Sequence, residues 1–138
     1  MYIPDWAIDV KTGNERIDIQ HVKLFEHIDQ FMGALSYHSE PAVIQETLNF
    51  LILHVRNHFA EEERMHRESG APNLDCHVRA HLDVARELDS VLLIYRNEGF
   101  TPNMEMRLMN GVLRGMVAQM HEFDLPLARF LQENGRGN

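Results

Sequence analysis

A histidine and a glutamate lie four residues apart near the middle of the chain, as His58 and Glu62. On an α-helix, residues with this spacing share one face. Ile44, Leu51 and Val55 fall on the same face, so the periodicity directs the imidazole and the carboxylate into an apolar seam. A buried carboxylate is costly unless it is paired, hydrogen-bonded or bound to a metal. The spacing therefore indicates a buried polar site or a metal site.

A second pair with the same spacing, His77 and His81, begins the next segment with helical periodicity. His21 and Asp124 take inward positions in the first and last such segments. A lone histidine on an apolar face is usually a core residue, but four histidines and two carboxylates would need a dense hydrogen-bond network. A metal site satisfies all of them together, and imidazole with carboxylate suits iron, zinc, copper or nickel. Six ligands exceed those of one structural zinc site, so we predict two bridged metal ions.

Four segments with helical periodicity must position these side chains. We predict helices over residues 17–38, 41–68 and 74–97, and a fourth that begins near Pro102. Asp18 is predicted to cap the first helix or to lie in its first turn. Because the loops between the helices are short, the sequence predicts an all-α fold, an antiparallel up-down-up-down four-helix bundle.

The two ends of the chain differ from the helical segments. Residues 1–16 lack sustained periodicity and are predicted to form an extended N-terminal arm, packed on the bundle by Trp6. Residues 133–138 are polar and rich in glycine, which predicts a tail or the start of a linker. This leaves residues 1–132 as one domain, a size that suits a single core. Pro126 is predicted to kink the last helix.

Composition excludes several classes of partner and compartment. The formal net charge of −8 argues against binding to nucleic acid or to an anionic membrane surface, since both normally need a basic face. The single cysteine, Cys76, allows no disulfide within the chain and is typical of a reducing compartment. The sequence shows no signal peptide and no apolar run of membrane-spanning length. We therefore expect a soluble, cytoplasmic protein with no membrane insertion.

The motifs that carry the candidate ligands resemble the hemerythrin and bacteriohemerythrin family over nearly the whole chain. They are Ile17-Asp-Ile-Gln-His21-Val-Lys-Leu-Phe25, His58-Phe-Ala-Glu-Glu62-Glu63, His77-x-x-x-His81 and Asp124. Known up-down-up-down bundles include a member of this family. The resemblance therefore implies the same fold that the helical periodicity predicts, and the two are not independent. The resemblance implies a centre of two non-haem iron ions, bridged by an oxo or hydroxo group. Such a centre binds dioxygen or another small ligand, such as nitric oxide or an azide-like anion.

The same resemblance assigns roles to the six candidate ligands. It implies two histidines for each iron and two carboxylates that bridge the ions, namely His21 with His58, His77 with His81, and Glu62 with Asp124. Two other histidines, His27 and His38, fall about 100° or more from the apolar stripe on an ideal helix. We expect both to lie on the surface.

The last helix departs from the family pattern. The family usually has a third histidine on the second iron, five residues before the bridging aspartate, and that position is Gln119 here. On an ideal helix Gln119 lies at the edge of the apolar stripe, whereas His121 lies about 130° away from its centre. We therefore expect the position to lack an imidazole. An aromatic position of the family is Gly115, and Gly111 lies one turn earlier; these glycines serve either close helix packing or a wider, wetter pocket.

Several functions are compatible with such a site. Fewer imidazoles leave more exchangeable positions, which favours a sensory di-iron domain that reports oxygen or redox state to a C-terminal signalling output, as in cyclic-dinucleotide signalling. The alternative is a free-standing protein for oxygen or iron binding, storage or delivery. A di-iron oxidase is disfavoured, because the Glu-x-x-His pairs of ferritin-like enzymes are missing from the inward positions, so we predict no enzymatic activity for this domain. A metal-free bundle with a polar core is the fourth hypothesis.

Overall fold

The computed structural model describes residues 11–37 and 40–135, and this part of the chain contains four helices and no strand. The helices are α1 (Glu15–Ser36), α2 (Pro41–Ser69), α3 (Leu74–Glu98) and α4 (residues 102–133). The predicted all-α, four-helix bundle is confirmed. The predicted N-terminal arm with Trp6, and also His38, lie outside the described residues.

Of the two roles predicted for Asp18 at the start of α1, the structure confirms the position in the first turn. Asn14, not Asp18, caps the helix, because its side chain accepts a hydrogen bond of 3.1 Å from the backbone N–H of Ile17. Asp18 lies in the first turn, where its carboxylate accepts hydrogen bonds from Thr12 and from the backbone N–H of Gly13. The carboxylate thus ties the preceding turn to the helix N-terminus, where negative charge is favourable.

The connection between α2 and α3 is short and sharply defined. Pro41 occupies the first turn of α2, as predicted, since its missing N–H has no partner there in any case. Gly70 ends α2 with a φ of 74°, in the left-handed region that favours glycine. Asn73 precedes α3 with a φ of 70°, a conformation that asparagine tolerates better than most residues. The two left-handed residues bring α3 back against α2.

The last helix contains two wider turns. Thr101 caps α4 by accepting a hydrogen bond from the backbone N–H of Met104. The chain then alternates between α-helical and π-helical segments: Pro102–Met106 (α), Arg107–Leu113 (π), Arg114–Gln119 (α), Met120–Asp124 (π) and Leu125–Glu133 (α). The second π segment ends at Asp124, two residues before Pro126, the residue predicted to kink the helix. A π turn bonds residues five apart, and such turns often occur at functional sites.

Contacts between neighbouring helices show their relative directions. In each pair of neighbouring helices, a contact nearer the C-terminus of one helix involves a residue nearer the N-terminus of the other. Consecutive helices therefore run in opposite directions. The contacts are Gln20–His58 and His27–His54 between α1 and α2, His66–His77 and Arg56–Asp89 between α2 and α3, and His77–Phe123 and Glu87–Arg107 between α3 and α4.

The hydrophobic core fills one part of the bundle and leaves the polar site at another. A large cluster of buried apolar side chains comes from all four helices, and a smaller one lies beyond the polar site, around Ile17, Leu127 and Leu131. The predicted ligands thus lie between two apolar regions. In the described part of the chain, no helix has an apolar stretch long enough to cross a membrane.

Candidate metal centre

The structure brings all six predicted ligands together. They form two groups of potential metal ligands, in each of which the ligand atoms lie within 4.8 Å of one another. The groups are His21, His58, Glu62 and Asp124, and Glu62, His77, His81 and Asp124. All six side chains are buried, and both groups share the same two carboxylates.

The first group faces one side of the shared carboxylates. The Nε2 atom of His21 lies 2.8 Å from Oδ2 of Asp124 and 3.7 Å from Oε2 of Glu62. The Nε2 atom of His58 lies 3.2 Å from Oε2 of Glu62. Both histidines therefore present their Nε2 atoms to Oε2 of Glu62.

The second group faces the other oxygens of the same carboxylates. The Nε2 atom of His77 lies 2.9 Å from Oε1 of Glu62 and 2.9 Å from Oδ1 of Asp124. The Nε2 atom of His81 lies 3.0 Å from Oε1 of Glu62. Each carboxylate thus offers one oxygen to each histidine pair, which is the arrangement that two bridged ions require.

Three of the four histidines are also held at their outer nitrogen. The Nδ1 atom of His58 lies 2.6 Å from Oε1 of Gln20, and that of His81 lies 2.8 Å from Oε2 of Glu63. The Nδ1 atom of His77 lies 2.8 Å from Nδ1 of His66. Ligating histidines in metal sites commonly donate their second N–H in this way, which fixes the ring orientation and the tautomer.

The hydrogen bond from His58 to Gln20 tests whether a cation fits the site. The carbonyl oxygen of Gln20 can only accept, so Nδ1 of His58 carries the proton and Nε2 of the neutral ring keeps a lone pair. This lone pair faces Oε2 of Glu62 at 3.2 Å, and both atoms are buried with no hydrogen-bond partner among the described residues. Two buried lone pairs at this distance need a positive charge between them, and a metal ion or a proton can supply it.

Protonation of the metal-free site supports the same conclusion. Burial lowers the pKa of His21 and of His77, but hydrogen bonds to Asp124 and Glu62 outweigh it and raise both to about 9. Burial opposes ionisation of Glu62, yet contacts with Asp124 and with the surrounding histidines hold its pKa well below the usual range. Burial and the negative charge of Glu62 raise the pKa of Asp124. Protons thus occupy the positions that metal ions would take.

The departure from the family pattern has a defined geometry. Gln119 is buried, and its Nε2 donates a hydrogen bond of 3.2 Å to Oδ2 of Asp124. Its Oε1 is buried without a hydrogen-bond partner among the described residues.

His121 is exposed, as its helical position predicted. A methyl group at Gly115 would make only an ordinary contact, 3.5 Å from Cγ2 of Val84, so close helix packing does not require this glycine.

Sequence reasoning assigned no role to the residues around the ligands. Gln20 and Glu63 are adjacent to predicted ligands, and His66 follows Glu62 by four residues on the same face of α2. The spacing of His66 was therefore a usable signal. The ring of Phe59 stacks on that of His81, with centroids 4.0 Å apart and planes 6° apart.

His27 lies away from the centre, as predicted, although it is not fully exposed. It is half-buried against His54 of α2, with ring centroids 4.5 Å apart. Neither residue belongs to the two ligand groups.

The family model described as "Hemerythrin HHE cation binding domain" matches residues 12–128, a range that contains all six candidate ligands. The chain belongs to the hemerythrin family. Among curated proteins it is similar to a bacteriohemerythrin of Campylobacter jejuni subsp. jejuni, with 26% identity over 84 residues, which are 61% of this chain and 63% of the relative. It is also similar to a myohemerythrin of Theromyzon tessulatum, with 30% identity over 86 residues, 62% of this chain and 66% of the relative.

Each of these matches spans less than two thirds of the relative's own length. No solved structure matches the chain. Family membership establishes a cation-binding domain, and the two ligand groups show where in this hemerythrin domain cations could bind.

Proposed function

We propose that this hemerythrin domain holds two non-haem iron ions and senses dioxygen or redox state. His21 and His58 would hold one ion and His77 and His81 the other, while Glu62 and Asp124 would touch both. When reduced, such an iron pair supplies the chemistry of dioxygen binding and of electron transfer to dioxygen. The protein residues supply the imidazole and carboxylate ligands, exclude water by burial and fix the ring orientations.

The division of the two carboxylates between the histidine pairs is the observation that carries this proposal. Oε1 of Glu62 faces His77 and His81, whereas Oε2 faces His21 and His58. A mononuclear site would have no need for ligands on both oxygens of one buried carboxylate. Two ions that share the carboxylates account for all six inward side chains and for the unpartnered atoms of His58 and Glu62.

A sensory role is supported by the second ligand group, which contains only two histidines. Gln119 occupies the position where the family usually has a third, and its amide is a much weaker ligand for iron than an imidazole. Both ions would then keep an exchangeable position. A reversible oxygen carrier limits such positions, because open coordination promotes oxidation of the metal.

We further propose that the domain is the cytoplasmic sensory part of a bacterial signalling protein. In this proposal residues 1–132 form the sensory domain and the polar, glycine-rich residues 133–138 begin a linker to an output domain, such as one for cyclic-dinucleotide signalling. The domain itself performs no enzymatic turnover.

The alternative function is a free-standing bacteriohemerythrin that binds, stores or delivers oxygen or iron. The matched relatives, a bacteriohemerythrin and a myohemerythrin, are consistent with this function. The same six ligands would serve it. The two functions differ in the expected lifetime of the oxygenated form.

Stopped-flow mixing of the reduced, iron-loaded protein with dioxygen distinguishes the two functions. A sensor with open positions should be oxidised within the experiment and should show no long-lived oxygenated form. An oxygenated form that persists for hours would contradict the sensory proposal and establish the carrier function.

A further inference from the structure

His66 is a buried histidine outside both ligand groups, with both ring nitrogens in contact with partners. It follows Glu62 by one helical turn on α2 and is 3% exposed. Its Nδ1 lies 2.8 Å from Nδ1 of His77. Its Nε2 lies 2.8 Å from the carbonyl oxygen of Pro72 and 3.2 Å from that of Ala71. The ring thus lies between a candidate metal ligand and the connection from α2 to α3.

These partners fix the direction of the hydrogen bonds. Carbonyl oxygens only accept, so Nε2 of His66 carries a proton and donates it to the turn. Nδ1 of the neutral ring then has a lone pair, which accepts the Nδ1–H of His77. If a metal ion replaced the proton on Nε2, the His77 ring would keep its proton on Nδ1 and present the Nε2 lone pair on the side of Glu62 and Asp124. His66 therefore selects the tautomer of His77 that can bind a metal.

We infer that His66 is a positioning residue that sets the tautomer and orientation of His77 and links the metal centre to the turn at residues 70–73. This inference rests on the proposed di-iron function. Among the outer partners described above, His66 is the one that continues to the backbone. His58 and His81 instead end on the side chains of Gln20 and Glu63.

The turn is well suited to transmit a change in His77. Gly70 and Asn73 both have left-handed φ values, and Oγ of Ser69 accepts a hydrogen bond from the N–H of Ala71. If His77 held an ion, oxidation of that ion would withdraw electron density from the ring, and the Nδ1–H of His77 would become a stronger donor to His66. The same strengthening would extend through the Nε2–H of His66 to the carbonyl group of Pro72, a residue that lines a surface cavity of about 580 Å³.

Substitutions of His66 can separate its two contacts. In His66→Asn the side-chain oxygen occupies the place of Nδ1, so the contact with His77 is kept and the contact with the turn is lost. In His66→Gln the side-chain nitrogen occupies the place of Nε2, so the opposite holds. His66→Leu removes both contacts at similar volume. Gln20→Leu is the matched control, since it removes the partner of His58 instead.

Proton NMR of the iron-loaded full chain in water provides the first readout. The iron shifts the N–H signals of its imidazole ligands away from the other resonances, and their exchange with solvent reports protection by a partner. In His66→Leu and His66→Gln one such signal should exchange about tenfold faster, and iron affinity should fall by about 10-fold to 100-fold. In His66→Asn the signal should be retained, while Gln20→Leu should affect a different signal.

Backbone amide exchange over residues 70–77 provides the second readout, compared between the oxidised and reduced iron-loaded forms. The two forms should differ in the parent protein but not in His66→Leu, His66→Asn or His66→Gln, because each variant lacks at least one of the two contacts that the link to the turn needs. If the parent protein binds iron but the Asn and Gln variants behave alike in the NMR readout, or both keep the parent's difference in amide exchange, the inference is wrong and the proposed function stands. If the parent protein binds no iron, both are overturned.

Discussion

Gln119 donates a hydrogen bond of 3.2 Å from its Nε2 to Oδ2 of Asp124, a candidate ligand shared by both histidine pairs. The two residues are five apart: Gln119 immediately precedes the π-helical turn Met120–Asp124, and Asp124 is the last residue of that turn. An i to i+5 turn places residues with this spacing on the same face. The position where the resemblance led us to expect a third histidine is therefore directed at the centre, and it carries an amide.

Gln119→His should convert the centre towards the oxygen-carrying pattern. The new imidazole would add a third nitrogen ligand beside His77 and His81, and Gly115 leaves room one turn earlier. We expect autoxidation of the reduced protein in the presence of oxygen to slow by about tenfold, the size of effect that changes around a metal site commonly have on its activity. Azide titration should also show fewer exchangeable positions.

His121→Ala is the control for that variant, because His121 is exposed. It should change neither the autoxidation rate nor azide binding. If instead His121→Ala removed iron while Gln119→His had no effect, α4 would have a different register in solution and His121 would be the ligand.

Glu62→Ala should remove both metal ions. Glu62 contacts all four candidate histidines through its two oxygens, whereas each histidine belongs to one group. Loss of a shared ligand therefore weakens both positions, and we expect less than one iron per chain to remain at about micromolar free iron. Elemental analysis after gel filtration gives the measurement.

His27→Ala is the matched control, since His27 packs on His54 away from both groups. Its iron content should equal that of the parent protein. Two irons per chain and an unchanged spectrum in Glu62→Ala would rule out the shared role of this carboxylate.

The metal-free protein should lose stability as the pH rises above neutral. The pKa of His21 and of His77 is about 9 in the folded protein and 6.5 in the unfolded chain, so folding favours the protonated form of both. This contribution is fully present below pH 6.5 and is lost as the pH rises towards 9. For one histidine it is on the order of 3 kcal/mol, from the size of the pKa difference.

Urea unfolding of the metal-free protein at pH 6, 7.5 and 9.5 measures this effect. The iron-loaded protein should show a much weaker dependence over the same range, because the metal replaces those protons. His21→Gln should reduce the slope of the metal-free protein by about half. A free energy of unfolding that rises between pH 6.5 and 9 would show that the histidines are neutral in the folded metal-free site.

The helical periodicity of the sequence predicted most of this architecture. The bounds of α2 and α3 lie within one residue of the predicted ranges. Pro41 marks the start of α2, and Gly70 and Gly99 mark the ends of α2 and α3. The six inward side chains were also predictable, since histidines and carboxylates on an apolar stripe are costly without a shared partner.

The remaining features depend on tertiary contacts that periodicity does not encode. The π turn before Pro126 changes the spacing that an ideal α-helix assumes, so the hydrogen bond from Gln119 to Asp124 was not predictable from angles alone. The roles of Gln20 and Glu63 depend on which ring nitrogen each reaches across a helix interface. The capping role of Asn14 instead of Asp18 depends on the fold of the preceding turn.

Metal analysis of the purified chain tests the central claim most directly. After anaerobic reconstitution with ferrous iron and removal of the excess, we predict about two irons per chain, together with near-ultraviolet and visible charge-transfer absorption after oxidation. The prediction follows from two complete ligand groups joined by Glu62 and Asp124. One tightly bound zinc per chain, with no iron uptake under reducing conditions, would contradict the di-iron centre.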